Sequence, residues 1–535
     1  MNVLIERHQQ TLLLLLLFSI LLLPSGLCPL VESTEARYAE IGREMVASGN
    51  YLEPHLNGIK HFHKPPLAYW LIAAGISLFG ANDFGARFFG VMAAAIAVLY
   101  LYRLALVVLE DKKKAWYAAL IFASSPLFLA VSRIVSTDIY LTCFTIQAQY
   151  HLARCLYGKK RGQDVFFYAL FLGLGFLTKG PIIFLFTLLP YFVAKIFDQG
   201  HRLVFRPQEV AAGLAVFVGI TLPWYLSVVI KNPGLLYYFL KVQTVDRVAT
   251  DRFRRYQPFW YFFYIFFATF APYILFLGRG LFCFRLLPQR VRVLMAYVIV
   301  PFLVFSLAES KQPTYIMPLY GMAAIISAEV FATLAMPRLR AVILALLGLL
   351  AIAPLAVGFG YPLLYDLRFL MVGATVITGG LFWWTYQVRG QDNFLFRTAV
   401  VLVFIGTVGY VAFGSIAHQR RGFERLVAKI NLLDPDRQKK VLVYRDLLPS
   451  VSFYRGALAI MSLGKERETQ FEKGNTHEIY NLDDKGKLEQ FLLQEKSLFV
   501  VAKPERIKAF IAQYPLTCEE VFRQENRAAY LCAGK

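Results

Sequence analysis

The chain has 535 residues, of which 57% are hydrophobic, 16% aromatic and only 17% charged, where soluble domains carry about 25% charged residues. That balance excludes a soluble globule. The net charge of +21 would suit nucleic acid, but many lysines and arginines sit in short loops between apolar runs, where membrane orientation demands them, so no nucleic-acid partner is expected.

Apolar runs of bilayer-crossing length, about 20 residues each, recur from Thr11 to about Ile416 and then stop. The first, Thr11–Leu30, follows Arg7. It exceeds the ~7 to 15 apolar residues of a signal peptide and lacks an A-x-A cleavage site, so it reads as an uncleaved span. Further spans are expected at Phe88–Leu109, Ala115–Ile134, Ile139–Leu156, Val165–Leu177, Pro181–Phe197 and Val210–Ile230. Phe259–Leu277, Val293–Leu307, Tyr315–Phe331, Ala341–Phe359, Phe369–Tyr386 and Thr398–Ile416 bring the total to thirteen. Leu67–Gly80 is too short to cross and reads as a helix lying along the interface. Leaving it out, with the N-terminus inside, makes Lys112–Lys114, Lys159–Arg161, Arg279–Arg292, Arg338 and Arg389 cytoplasmic, as the positive-inside tendency requires. The same solution puts Val31–Arg87, Ser136–Asp138, Lys231–Pro258 and Ala308–Thr314 outside, together with the tail.

Two domains are expected: a membrane domain over 1–416 and an extracytoplasmic α/β domain over 417–535. In the tail, Lys440–Tyr444 and Ser497–Ala502 are strand-like, and Lys485–Gln494 and Pro504–Tyr514 have helical period. Cys518–Phe522 and Ala528–Cys532 suit two short paired strands. An oxidising compartment would then allow Cys518 and Cys532 to bond, though free thiols stay an open alternative.

Chemistry is best sought in the outside loops. Thr34–Met45 is helical in period, with Tyr38, Ile41 and Met45 on one side; Glu35 is either functional or simply a favourable acid in a first helical turn. In His61-Phe62-His63-Lys64-Pro65-Pro66 the prolines forbid a helix and fix an extended turn that holds Lys64 at the membrane surface. Lys64 can meet a ligand there, or only lipid headgroups. His61 and His63 lack a third group at ligand spacing and are read as solvated rather than metal-binding. Asp138 is either functional or an N-cap. The loop before Phe259 carries Lys241, Arg247, Arg252, Arg254 and Arg255 where positive charge is normally sparse, which points to a bound anion, phosphate or lipid headgroup. Lys179 and Lys311 each lie beside a helix-starting proline at one membrane level and would suit a phosphate held at the interface, or would snorkel.

Taken together, Glu35-Ala36-Arg37-Tyr38-Ala39-Glu40, Lys64-Pro65-Pro66, Asp138 and Pro313-Thr314-Tyr315 resemble the GT-C membrane glycosyltransferases. The likeness is closest to the bacterial aminoarabinose transferases that modify lipid A, with protein O-mannosyltransferases as more distant relatives. It extends over essentially the whole chain and implies a mainly α polytopic protein of the bacterial inner membrane with about thirteen transmembrane helices. It also implies an undecaprenyl phosphate donor bearing one hexosyl or pentosyl group, and transfer to a lipid or glycan acceptor by single inverting displacement on the periplasmic face. Arg37, Tyr38, Lys64, Arg247 or Arg255, and Tyr315 would hold the carrier phosphate. Glu35 and Asp138 would be the carboxylates that orient the acceptor or take its proton. No cofactor is assigned, and a divalent metal is left open. Two departures stand out: Thr34 occupies the place of a family acid, and His63 stands where aminoarabinose transferases often have an acid.

The competing reading from another class is a transporter or flippase. Transporters place ionisable groups near the bilayer midplane, whereas the candidate charges here sit at its boundary. A scaffold that binds a partner through its tail would leave the cationic loop without a purpose.

Overall fold

Helices dominate the computed structural model, which describes residues 18–32, 34–158, 162–197, 205–246, 256–334, 337–388, 390–462, 481–482 and 485–534. They fall into two compact units: one from the described parts of Met1–Leu23, Gly90–Arg133 and Thr137–Tyr410, the other from Pro24–Phe89, Ile134–Ser136 and Val411–Lys535.

In the first unit the hydropathy of the sequence becomes long helices. Among the described residues of the whole chain, six helices are long and apolar enough to cross a membrane: Asp83–Leu109, Pro207–Lys231, Gln289–Leu307, Arg338–Gly360, Pro362–Tyr386 and Asn393–Arg420. The pair Tyr261–Thr269 and Ile274–Phe282, bent by 116°, makes a seventh if counted as one span. The count is lower than the thirteen runs expected because several of those runs are not single apolar helices. Ala115–Ile134 breaks at Ser125, ahead of Pro126, and Pro181–Phe197 breaks at Thr187. Helix Thr137–Tyr157 is continuous but carries Gln147, Gln149, His151 and Arg154. Of Thr11–Leu30, only the part from Phe18 lies in the described residues, and it tightens into a 3-10 turn at Leu23–Gly26. Helix Pro207–Lys231 shows why the runs are apolar on every side: Val210, Leu214, Val218, Leu222, Leu226 and Ile230, four residues apart, all stay exposed, a stripe suited to lipid.

The second unit holds the first loop and the tail. Helix Thr34–Ser48 packs Tyr38, Ile41 and Met45 against Tyr69, Ile72 and Ile76 of helix Leu67–Phe79, whose bounds match the expected interfacial helix to one residue. The tail folds as a six-stranded sheet in the order Asn481–Leu482, Ile460–Ser462, Val441–Tyr444, Ser497–Ala502, Arg527–Gly534, Leu516–Gln524. The first four strands run parallel, and the last two add antiparallel. Leu442, Tyr444 and Val500 face one apolar cluster, while Val441, Val443 and Val501 face another. With both faces covered, the strands read as unbroken apolar runs. Cys518 and Cys532 lie directly opposite in the outer pair and are bonded.

Helices Leu67–Phe79 and Asp83–Leu109 approach so closely that a Cβ on Gly75 would stand 2.2 Å from the Gly85 carbonyl oxygen. Backbone cannot yield as a side-chain tip does. Gly75→Ala should therefore lower the unfolding free energy in detergent by about 1 to 3 kcal/mol. Gly373→Ala, whose Cβ would meet nothing within 4 Å, should cost nothing or stabilise slightly in the same measurement.

Candidate functional site

The first loop is held by one buried carboxylate. Glu35, 6% exposed, accepts from Arg87 Nε at 2.8 Å and from the Val135 amide at 2.8 Å through Oε1, and from the Val31 amide at 3.1 Å through Oε2. Arg87, 2% exposed, gives its remaining donors to the carbonyls of Ser25, Cys28 and Pro29. Both oxygens of Glu35 are thus committed to holding the chain that enters helix Thr34–Ser48. Thr34 begins that helix, and every residue from Glu35 to Met45 is buried.

Further along the helix, Glu44 takes the amides of Asn57 and Gly58. Both of these residues have positive φ, 51° and 75°, the geometry of a two-residue hairpin turn that Asn-Gly favours. The hairpin pairs His55–Leu56 with Ile59–Lys60 and delivers the chain to His61–Pro66. There the His61 amide donates to the Pro54 carbonyl at 2.7 Å. Lys64 and Arg37 are each 8% exposed and Tyr38 is 7% exposed, with the Tyr38 ring edge-on to Tyr69 at 5.6 Å.

The two histidines are buried, not solvated: His61 is 1% exposed and His63 5%. A solvated reading treats any polar loop residue as free to reach water, but the hairpin folds this segment inward. Neither ring nitrogen of His61 has a hydrogen-bond partner among the described residues. Burial, and then the nearby charges of Arg37 and Lys64, push its pKa down to about 3, so the ring is neutral. His61 and His63 lie 5.6 Å apart, ring to ring. Among the described residues no group of three or more His, Cys, Asp or Glu could hold a metal.

Glu40, which enters the sequence reading only as the end of the Glu35–Glu40 stretch that carries the resemblance, is fully buried. Loss of hydration raises its pKa to about 8 in spite of two 2.7 Å hydrogen bonds from Arg43. Burial also raises the pKa of Glu44. These charges are invisible to a reading of helical period, because period identifies only the apolar side.

In the other unit, Asp138 lies in the first turn of helix Thr137–Tyr157 and accepts from Lys179 Nζ. Lys179 ends helix Gly162–Lys179, which Gly180 closes at φ 76°, and its ammonium stands 4.6 Å over the Tyr315 ring. Tyr315 belongs to the 3-10 turn Pro313–Ile316, with Pro313 in its first turn. Three residues chosen separately from the sequence, Asp138, Lys179 and Tyr315, therefore form one cluster. Lys311 donates to the Gln257 carbonyl at 2.7 Å. Arg247 and Arg255 lie outside the described residues.

A family model described as dolichyl-phosphate-mannose-protein mannosyltransferase matches residues 63–226. The chain is 32% identical over 329 residues to an undecaprenyl phosphate-alpha-4-amino-4-deoxy-L-arabinose arabinosyl transferase of Edwardsiella ictaluri, covering 59% of this chain and 57% of that protein. It is 30% identical over 357 residues to the protein of the same description in Aeromonas salmonicida, covering 63% of each. The chain thus spans roughly three fifths of the length of these relatives. Its fold is that of ArnT from Cupriavidus metallidurans, solved bound to undecaprenyl phosphate: TM-score 0.83 at 18% identity, covering 98% of this chain and 97% of that one.

Two outcomes follow from the buried charges. Glu35→Ala strands Arg87 without its carboxylate and should cost about 3 to 5 kcal/mol of stability by thermal or denaturant unfolding, an effect that Thr34→Ala would not share. For Glu40, a native pKa near 8 against 4.5 unfolded means stability that is full below pH 4.5 and lost as pH rises through 8. Unfolding free energy measured from pH 5 to 8 should accordingly fall less steeply in Glu40→Gln than in the wild type.

Proposed function

We propose that this chain, which has the fold of the GT-C membrane glycosyltransferases and is similar in sequence to their aminoarabinose-transferase branch, moves a sugar from an undecaprenyl phosphate carrier to an envelope acceptor such as a lipid A phosphate. The observation that carries the proposal is Lys64. It is a buried ammonium on a turn that two prolines fix, flanked by buried Arg37, in a chain whose relatives are described as acting on an undecaprenyl phosphate-linked sugar.

In the proposed reaction an acceptor oxygen attacks the anomeric carbon of the sugar from the face opposite the carrier. The new carbon–oxygen bond forms as the bond to the carrier phosphate breaks, and the phosphate leaves with the electron pair, inverting the centre. Negative charge grows on the departing phosphate. Fixed cations from Arg37 and Lys64, with Lys179, Lys311, Arg247 and Arg255 and the hydroxyls of Tyr38 and Tyr315, would stabilise that charge without reorganising. Of the two carboxylates, Asp138 receives the proton-handling or acceptor-orienting role. Glu35, with both oxygens already occupied, serves by holding Arg37 and Tyr38 in place. His63 in the position of a family acid leaves the sugar open between aminoarabinose and another hexose or pentose.

We further propose thirteen crossings, a cytoplasmic N-terminus and a periplasmic domain over 417–535 of the bacterial inner membrane. The Cys518–Cys532 bond supports an oxidising compartment for the tail, and the basic loops support the orientation.

With purified protein in liposomes, undecaprenyl phosphate–sugar and lipid A, Lys64→Ala and Asp138→Asn should each lower the transfer rate by about 100-fold or more while keeping the wild-type unfolding temperature. Wild-type rates in both would overturn the proposal. Mass spectrometry of envelope lipids and glycans from cells with and without the protein names the sugar and acceptor.

A further inference from the structure

Helices Leu188–Phe197 and Gln289–Leu307 enclose a cavity of about 470 Å³, within the range of roughly 300 to 1,000 Å³ that buries a small ligand. Ala194, Ala296 and Ile299 are among its mainly apolar lining, and its polar groups are Gln289 and Arg292. Phe284 and Ile299, also in the lining, are 40% and 41% exposed, so the cavity opens on the outer surface of an apolar helix of membrane-crossing length.

Arg292 distinguishes this cavity from a packing gap. Its Nε is buried with no hydrogen-bond partner among the described residues, and its guanidinium lies 6.0 Å from the Phe284 ring centre. The neighbouring Arg290 is different: it pairs with Glu110 at 2.6 Å and stacks on Tyr157 at 4.7 Å. A helix rises ~1.5 Å per residue, so Arg292 lies roughly 22 Å along the helix from Leu307. The cavity is therefore at the other end of this helix from Lys311 and Tyr315, separate from the cluster described above.

We propose that this cavity binds one anionic glycerophospholipid of the surrounding bilayer, its phosphate held by Arg292 and Gln289 and an acyl chain laid along Ala194, Ala296 and Ile299. Basic pockets between membrane helices take acidic lipid headgroups, and a guanidinium fork matches phosphate oxygens. A small soluble anion would leave the apolar lining empty, whereas a zwitterionic lipid would bring its own cation against Arg292. The proposal is independent of the transfer reaction.

The test is lipid binding to the full-length protein, purified and delipidated in detergent, followed by native mass spectrometry and thermal unfolding. The probes are phosphatidylglycerol, phosphatidylcholine, undecaprenyl phosphate and inorganic phosphate. Phosphatidylglycerol should bind at one retained copy and raise the unfolding temperature. Arg292→Gln and the cavity-filling Ala296→Phe should each weaken that binding by tenfold or more, with Arg290→Gln unchanged. If one variant fails to fold, the other decides. Equal retention of phosphatidylglycerol in every folded variant would overturn the proposal. So would Arg292-dependent binding of phosphatidylcholine, undecaprenyl phosphate or inorganic phosphate as tight as that of phosphatidylglycerol.

Discussion

The ion pair of Glu35 with Arg87 sets the geometry of the first loop. One guanidinium gathers a carboxylate and three carbonyls, and the carboxylate gathers two backbone amides in return. A charge pair this buried is stable only while each member keeps its partners, because either one left alone would bear an uncompensated desolvation cost of several kcal/mol. The pair thereby pins the start of helix Thr34–Ser48, and the side chains of Arg37 and Tyr38 follow within one turn. Glu44, nine residues further on, pins the Asn57-Gly58 hairpin by its amides. Both carboxylates thus hold backbone amides of the first loop in place.

A related arrangement recurs around Asp138. The carboxylate holds Lys179, whose ammonium in turn lies on the Tyr315 ring. A lysine held by an acid and an aromatic face has a defined position before any ligand arrives. Preorganised charge of this kind is what stabilisation of a departing phosphate requires.

Much of this was legible in the sequence, for identifiable reasons. Two consecutive prolines dictate local geometry on their own, so the turn at Lys64 and the bounds of helix Leu67–Phe79 could be read directly. The tail strands followed from unbroken apolar runs; the expected pairing of Cys518–Phe522 with Ala528–Cys532 left bond and free thiols equally open, and the structure shows the bond. Interactions between distant residues could not be read in this way. Nothing near Glu35 announces Arg87, 52 positions away, and a helical period cannot show that the polar side of Thr34–Ser48 is as buried as the apolar side. The histidines misled because polarity was taken for exposure. Hydropathy sums over a window and passes across breaks such as Ser125 and Thr187, so the thirteen apolar runs correspond to only six long apolar helices, or seven with the bent pair, among the described residues.

The proposed transfer depends on a lipid phosphate gripped by Lys64 and Arg37. Equilibrium binding of undecaprenyl phosphate to the purified full-length protein and to Lys64→Ala tests that grip without requiring the sugar or the acceptor to be known. Saturable binding that weakens at least tenfold in the variant, at unchanged unfolding temperature, is expected. Equal affinity in both proteins would contradict it.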